Sequence, residues 1–380
     1  MVPRGANETH RVSTPLELLV DLTFVVAVAQ VAASLHHGLS EGHVAHSVVG
    51  FVSTFFAIWW AWMNFTWFAS AYDTDDVPYR LATLVQMAGV LVLAAGVPRA
   101  FEHNDFAVIT LGYVVMRVAL VAQWARASRA PASRSVGRRY ALAIVICQLG
   151  WVARLALPAT AASAAFAVLV AAEVAVPIWA ERGGRTAWHP GHIAERYGAF
   201  TIIVLGESIL SATVAIQDGI DAGEGVVELV LIAIGGLLIV FSMWWIAFDR
   251  PEELTPGVGD GGASALQAFA WGYGHIVVFA AAAAVGAGIT VAADDATGSV
   301  ALGRQGVALS TAAPVALFLL AQWVLHMRKG PHIVRLAPLV AVIAVVGATR
   351  LPHAVLAIGC ITASLVAAIV LVEGRAGARA

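Results

Sequence analysis

Charged and polar residues set deep in apolar sequence are where this chain could do chemistry. Glu207 stands in "FTIIVLGESILS" (200–211), with no other charged residue from 197 to 206 or from 208 to 217. A charge at the centre of a bilayer costs about 2.5–3.5 kcal/mol on the insertion scale, so such a residue faces the protein interior, pairs, or stays protonated. One reading is a carboxylate that loads and releases a proton; the other is a structural partner for an arginine. Ser208 is adjacent, and Ser211, four residues on, shares the face of Glu207 and can hydrogen-bond to it. Arg117 lies midway along "GYVVMRVALVAQW" (112–124). It keeps its charge there and demands an anion or a polar cavity. The carboxylates deep enough to meet it are Glu207, then Glu173, then Asp21. Arg117 is either an anion clamp or half of a fixed ion pair.

Other polar positions carry a chemical reading and a bland one side by side. Glu17 and Asp21 are four residues apart and so share one face, one turn inside the start of an apolar run. Ser13 and Thr14 ahead of Glu17 also read as a capping box. Thr23 and Gln30 lie on a different face, and Thr201 and Ser208 repeat that pair later in the chain. "DTDDVPYR" (73–80) gathers Asp73, Asp75 and Asp76. Hard cations take such oxygens, but Asp76 followed by Pro78 is also an ordinary helix start, and Asp75 and Asp76 can hold Arg80. His275, in "WGYGHIV", is intramembrane and titratable, or else a satisfied core residue. His36, His37, His43 and His46 surround one loop, with no second cluster to make a metal site. Most of the twelve tryptophans read as interfacial anchors, and Trp60, Asn64 and Trp67 recur at helical spacing as core or cavity lining. No phosphate-binding loop, no H-E-x-x-H and no serine–histidine pair in a recognisable setting is found, so no enzyme, metal or cofactor is expected.

The elements that must position these residues follow from composition. Of 380 residues, 60% are hydrophobic and 12% charged, where soluble domains carry about 25% charged residues. Mean hydropathy is +0.82. Apolar runs of roughly twenty residues recur from end to end, each long enough to span a bilayer. The first (16–35) is too long for the apolar region of a signal peptide. The fold class is therefore all-α, a polytopic membrane protein of about twelve transmembrane helices. They are expected at 15–37, 44–71, 78–98, 105–126, 138–157, 161–181, 194–217, 225–248, 264–292, 302–326, 333–349 and 352–372. Arg350–Leu351–Pro352 is the only break between the last two, so a count of eleven stays open. Net charge is −2, which gives no reason to expect nucleic acid. Cys147 and Cys360 are both mid-span and read as packing. Of the 22 lysines and arginines, seventeen fall in the loop set that includes both termini. Four (Arg99, Arg154, Arg304 and Arg350) fall in the opposite set, and Arg117 is in mid-span. Basic residues concentrate in cytoplasmic loops, so both termini are expected in the cytoplasm.

The chain also echoes itself. "ELLVDLTFVVAVAQ" (17–30) aligns without gaps on "ERYGAFTIIVLGES" (195–208), which sets Glu17 on Glu195, Thr23 on Thr201 and Gln30 on Ser208. "WFASAYD" (67–73) matches "WWIAFD" (244–249), and "VAQWA" (121–125) matches "LAQWV" (320–324). The anchors fall six helices apart, which predicts a parallel six-plus-six repeat with a site near the midplane. The expected divisions are a cytoplasmic segment 1–14, a first repeat 15–182, a linker 183–193, a second repeat 194–373 and a tail 374–380.

"PLELLVDLTFVVAVAQ", "WWAWMNFTWFASAYDTDDVPYR", "HIAERYGAFTIIVLGESIL" and "WGYGHIVVFA" resemble the signature segments of the bacterial low temperature requirement A family, in the same order. The likeness covers about residues 12–350. It implies an integral membrane protein of the bacterial inner membrane, supplies no settled activity, and points at Glu17, Asp21, Asp73, Asp75, Asp76, Arg80, Glu195 and Glu207. One departure is visible: many members place a His soon after the Gln of helix 1, and this chain has Ser34 before His36 and His37. The leading expectation is a proton- or ion-coupled secondary transporter with Glu207 as carrier and Arg117 as its partner. An ion channel lined by helices 1 and 7, and a lipid-acting enzyme or adaptor using the acidic cluster, are the alternatives. The expected partners are the lipid bilayer, a small solute or ion, and further copies of the chain.

Overall fold

A computed structural model describes Met1 and residues 12–223, 225–249, 265–327 and 332–377. Among them are twelve helices. They are α1 (Pro15–Ser40), α2 (Val44–Tyr72), α3 (Val77–His103), α4 (Ala107–Ala127), α5 (Arg134–Arg154), α6 (Ala159–Ala180), α7 (Pro190–Ala222), α8 (Val226–Phe248), α9 (Ala265–Ala296), α10 (Arg304–Gln322), α11 (His332–Ala348) and α12 (Ala354–Gly377). Eleven are long and apolar enough to cross a membrane. The exception, α11, has 17 residues, about 25 Å of helix. A turn at 349–353, in which His353 takes φ 51°, separates α11 from α12, so these are two helices and not one, and eleven of the twelve qualify as spans. Helices answer the demand of lipid that every backbone polar group be satisfied within its own segment.

The helices break where the sequence supplies the means. Thr14 and Glu17 form a reciprocal capping box: the Glu17 N–H donates to Thr14 Oγ1 (3.3 Å) and the Thr14 N–H to Glu17 Oε2 (2.8 Å). Asp76 caps α3, accepting from the Tyr79 N–H at 3.0 Å with Pro78 in the first turn. Helix α7 begins at Pro190, four residues ahead of its expected start, because His189 caps it. The His192 N–H donates to His189 Nδ1 at 3.2 Å, and the His189 N–H is held by Ser70 Oγ at 3.0 Å. That earlier start winds His192, which falls in the expected linker, into the helix.

The chain forms two compact units. The first comprises Met1–Gln30 and Phe56–Arg196: the opening turns of α1, most of α2, all of α3 to α6, and the first turns of α7. Its core sets Phe68, Tyr72, Tyr79, Trp124 and Tyr140 together, with Trp124 stacked on Tyr140 at 4.0 Å. Helices α3 and α4 touch through Gly89 and Gly112. A Cβ on Gly89 would lie 2.7 Å from the Gly112 carbonyl oxygen, so only glycine permits this approach. The second unit comprises Val31–Phe55 and Tyr197–Ala380. In it α9 packs on α10, and α8 on α12 through Gly235 and Gly359.

Candidate functional site

The first turns of α1 and α7 each carry two ionisable groups at i,i+4 spacing: Glu17 and Asp21, His192 and Arg196. The pairs meet. His192 Nε2 lies 3.2 Å from the Glu17 carboxylate, and Arg196 Nη2 donates to Asp21 Oδ1 at 2.6 Å. Contacts advance in the same direction along both helices, so α1 and α7 run side by side and parallel here. Trp62 of α2 donates its indole N–H to the same Asp21 oxygen at 2.7 Å, and the Arg196 guanidinium sits over the Phe65 ring at 5.9 Å. Glu17, Asp21, His192 and Arg196 are all 0% exposed. At the rim, the Ser13 N–H donates to Glu195 Oε1 at 3.2 Å.

Burying four ionisable groups is costly unless their hydrogen-bonding capacity is met. Here it is met in part. Asp21 Oδ2, Arg196 Nε and Nη1, His192 Nδ1 and Ser13 Oγ are buried and make no hydrogen bond among the described residues. The arrangement holds a carboxylate against a guanidinium while leaving both with unused donors and acceptors. Asp21 Oδ2 can take up a proton, and the unused guanidinium N–H groups of Arg196 can donate to an acceptor.

A second buried pair in the same unit engages both carboxylate oxygens, while Arg117 Nε and Nη1 make no hydrogen bond among the described residues. Arg117 of α4 donates to Glu173 Oε2 of α6 at 3.1 Å and to the Tyr113 hydroxyl. Glu173 also accepts from Trp60 Nε1 (2.8 Å) and Trp151 Nε1 (3.2 Å), so both its oxygens are engaged. Arg117 therefore takes the second of its three candidate carboxylates, not Glu207 or Asp21. The physical reason is azimuth: all three lie deep enough, but Glu173 faces α4. The indoles of Trp60 and Trp62 are wholly buried donors to carboxylates: Trp60 lies in the core, as one of its two readings has it, and Trp62 is no interfacial anchor.

Glu207 belongs to the second unit, is half-buried, and accepts a hydrogen bond from Ser211 Oγ at 3.1 Å on its own helix. Arg117 is not its partner. Thr23 and Thr201 each donate to the carbonyl four residues back, Leu19 and Tyr197. The paired positions Gln30 and Ser208 differ: Gln30 is exposed, while Ser208 is buried and donates to the Val204 and Ala282 carbonyls. His275 is buried beside Trp271, Tyr197 and His326, with Nδ1 2.8 Å from the Trp271 carbonyl oxygen.

The "DTDDVPYR" loop splits its acids. Asp73 Oδ1 accepts from the Asp75 N–H at 3.0 Å. Asp75 grips Arg80 through two bonds of 2.7 and 2.8 Å. Asp76 binds Arg126 as well as capping α3. Hydrogen bonds from Arg80 and Arg126 hold the carboxyls of Asp75 and Asp76 below the ordinary carboxylate range. This corrects the expectation that Asp76 serves Arg80. His36, of the loop histidines, lies 2.6 Å from Asp294.

The signal for the α1–α7 site was present as complementary spacing. Glu17 and Asp21 are legible as one acidic face, but Arg196 is counted among loop cations and His192 is passed over. Compared with known proteins, residues 12–373 match the family model described as bacterial low temperature requirement A protein. The chain is 29% identical over 274 residues to an uncharacterised protein of Rhizobium meliloti (strain 1021). That match covers 69% of this chain and 65% of the relative's length.

Proposed function

The chain belongs to the bacterial low temperature requirement A family, and we propose that this multi-pass membrane protein is a proton-coupled secondary transporter of small anions in the bacterial inner membrane, with both termini in the cytoplasm and two parallel six-helix repeats. The observation that carries the reading is the partly satisfied Asp21–Arg196 pair, where the two groups have no exposed surface yet keep unused donors and acceptors. The Arg117–Glu173 pair keeps unused guanidinium donors too, but both of its carboxylate oxygens are engaged, whereas Asp21 Oδ2 is not. Asp21 replaces Glu207 as the carrier.

The chemistry runs through charge balance. An ionised Asp21 compensates Arg196. A proton arriving at Asp21 removes that compensation and leaves a guanidinium that cannot itself deprotonate. An anion accepted by Arg196 Nε and Nη1 restores neutrality, so proton and anion enter together. Glu17 and His192, one turn nearer the helix ends, form the relay by which the proton reaches Asp21. Trp62 holds Asp21 Oδ1 in place throughout.

The test is uptake by proteoliposomes containing the purified chain and a trapped pH dye, under an inward proton gradient, against a panel of mono- and dicarboxylates. Saturable uptake accompanied by acidification of the lumen is expected for at least one anion. Uptake that rises linearly with concentration would favour a channel, a reading favoured by the parallel approach of α1 and α7. Absence of any protein-dependent flux would overturn both.

A further inference from the structure

At one end of the second unit, the end of α9, the starts of α8 and α10 and the turn before α12 enclose a cavity of about 240 Å³. At about 30 Å³ per water this is room for a solute of a few heavy atoms. Its floor is apolar, with Ile232 and Val307 among the lining residues, and its polar groups are Glu228, Asp295, Arg304 and His353. Glu228 and His353 form a pair at 2.6 Å. Asp295 and Arg304 line the same cavity and form no ion pair with each other or with any other described residue.

The placement of these two charges is unfavourable on local grounds. Asp295 is in the last turn of α9, where the helix dipole repels an anion. Arg304 is the first residue of α10, where it repels a cation. The neighbouring charges obey ordinary rules: Glu228 sits in the first turn of α8, and Asp294 is matched by His36 at 2.6 Å. Two charges of opposite sign, each set against its own helix and facing a shared cavity without meeting, are arranged for a ligand that carries both signs.

We propose that this cavity binds a small zwitterionic solute of the amino-acid class, its ammonium against Asp295 and its carboxylate on Arg304. The Glu228–His353 pair forms the polar rim, and the left-handed turn at His353 brings the imidazole onto Glu228. The site lies wholly within the second unit and does not depend on transport through the first.

Binding is measured on the purified full-length chain in detergent by titration calorimetry, with glycine, β-alanine and γ-aminobutyrate as probes that vary the charge separation. Acetate and methylammonium serve as single-charge halves. At least one zwitterion should bind saturably below about 10 mM, with both halves about tenfold weaker or worse. Arg304→Gln and Asp295→Asn should each weaken it by about tenfold or more, the loss expected for one charged hydrogen bond. Both side chains are at the surface, so the unfolding midpoint should not move, and this serves as the control for folding. No saturable binding of any zwitterion, acetate binding as tightly as the best of them, or affinity retained in both variants would overturn the proposal.

Discussion

Replacing Asp21 by Asn isolates the charge at the centre of the α1–α7 site. The amide keeps an oxygen for the Trp62 indole, which stands 2.7 Å away in the native pair. Only the compensation of Arg196 is lost, and Arg196 Nη2 lies 2.6 Å from Asp21 Oδ1 with neither residue exposed. Stranding one member of such a pair costs about 3–5 kcal/mol. With an unfolding entropy near 2.1 cal/mol/K per residue, that cost lowers the midpoint of a chain of this length by about 4–6 °C. Adding Arg196→Met removes the stranded charge and fills its volume with an apolar chain. The double variant should therefore recover most of the loss. The assay is thermal unfolding in detergent at one fixed scan rate, since unfolding of such chains is often irreversible. A double variant less stable than Asp21→Asn alone, or an Asp21→Asn chain as stable as wild type, would refute the reasoning.

The remaining expectations concern other parts of the molecule. Asp76 is held below the ordinary carboxylate range by Arg126, so its contribution is present above about pH 4, the value for an unfolded Asp, and is lost as the pH falls below that. Unfolding midpoints of wild type and Asp76→Asn, whose amide still caps α3, should differ at pH 7 and begin to draw together below about pH 4, meeting only beneath the depressed folded value. Glu207→Gln should shift the midpoint by no more than an exposed-site change, about 0.5 kcal/mol, since its hydrogen bond is to Ser211 of the same helix; a loss of several kcal/mol would point to a partner beyond Ser211. A cysteine placed at Arg129, in the α4–α5 connection, should resist an impermeant thiol reagent in intact cells. Ready labelling from outside would reverse the orientation.

Much of the fold was legible because lipid permits so little. A span must be a long apolar helix with its backbone satisfied internally, so runs of hydropathy mark each helix to within a few residues, and α8 and α2 end almost where expected. Helix α7 differs because its start is set by a histidine cap, and His189 is not among the residue types usually read as an N-cap. The site was less legible. Depth in the membrane can be read along the chain, but the direction a side chain faces cannot. Arg117 had three carboxylates at suitable depth, and only the packing of α4 on α5 and of α5 on α6, which brings the two side chains together, selects Glu173. Glu17 and Asp21 were visible as a face, yet their partners carried no mark beyond matching four-residue spacing. Glu207 is isolated in the sequence, and its hydrogen bond from Ser211, one turn on in the same helix, follows from that spacing alone.

The central claim is that proton and anion are coupled through Asp21 and Arg196. The direct test compares wild type with the stable, charge-free double variant Asp21→Asn/Arg196→Met in proteoliposomes, using whichever anion the wild type accumulates under an inward proton gradient. The account predicts that the double variant folds, inserts and shows neither gradient-driven accumulation nor acidification of the lumen. Accumulation at the wild-type rate with the wild-type proton stoichiometry would contradict it.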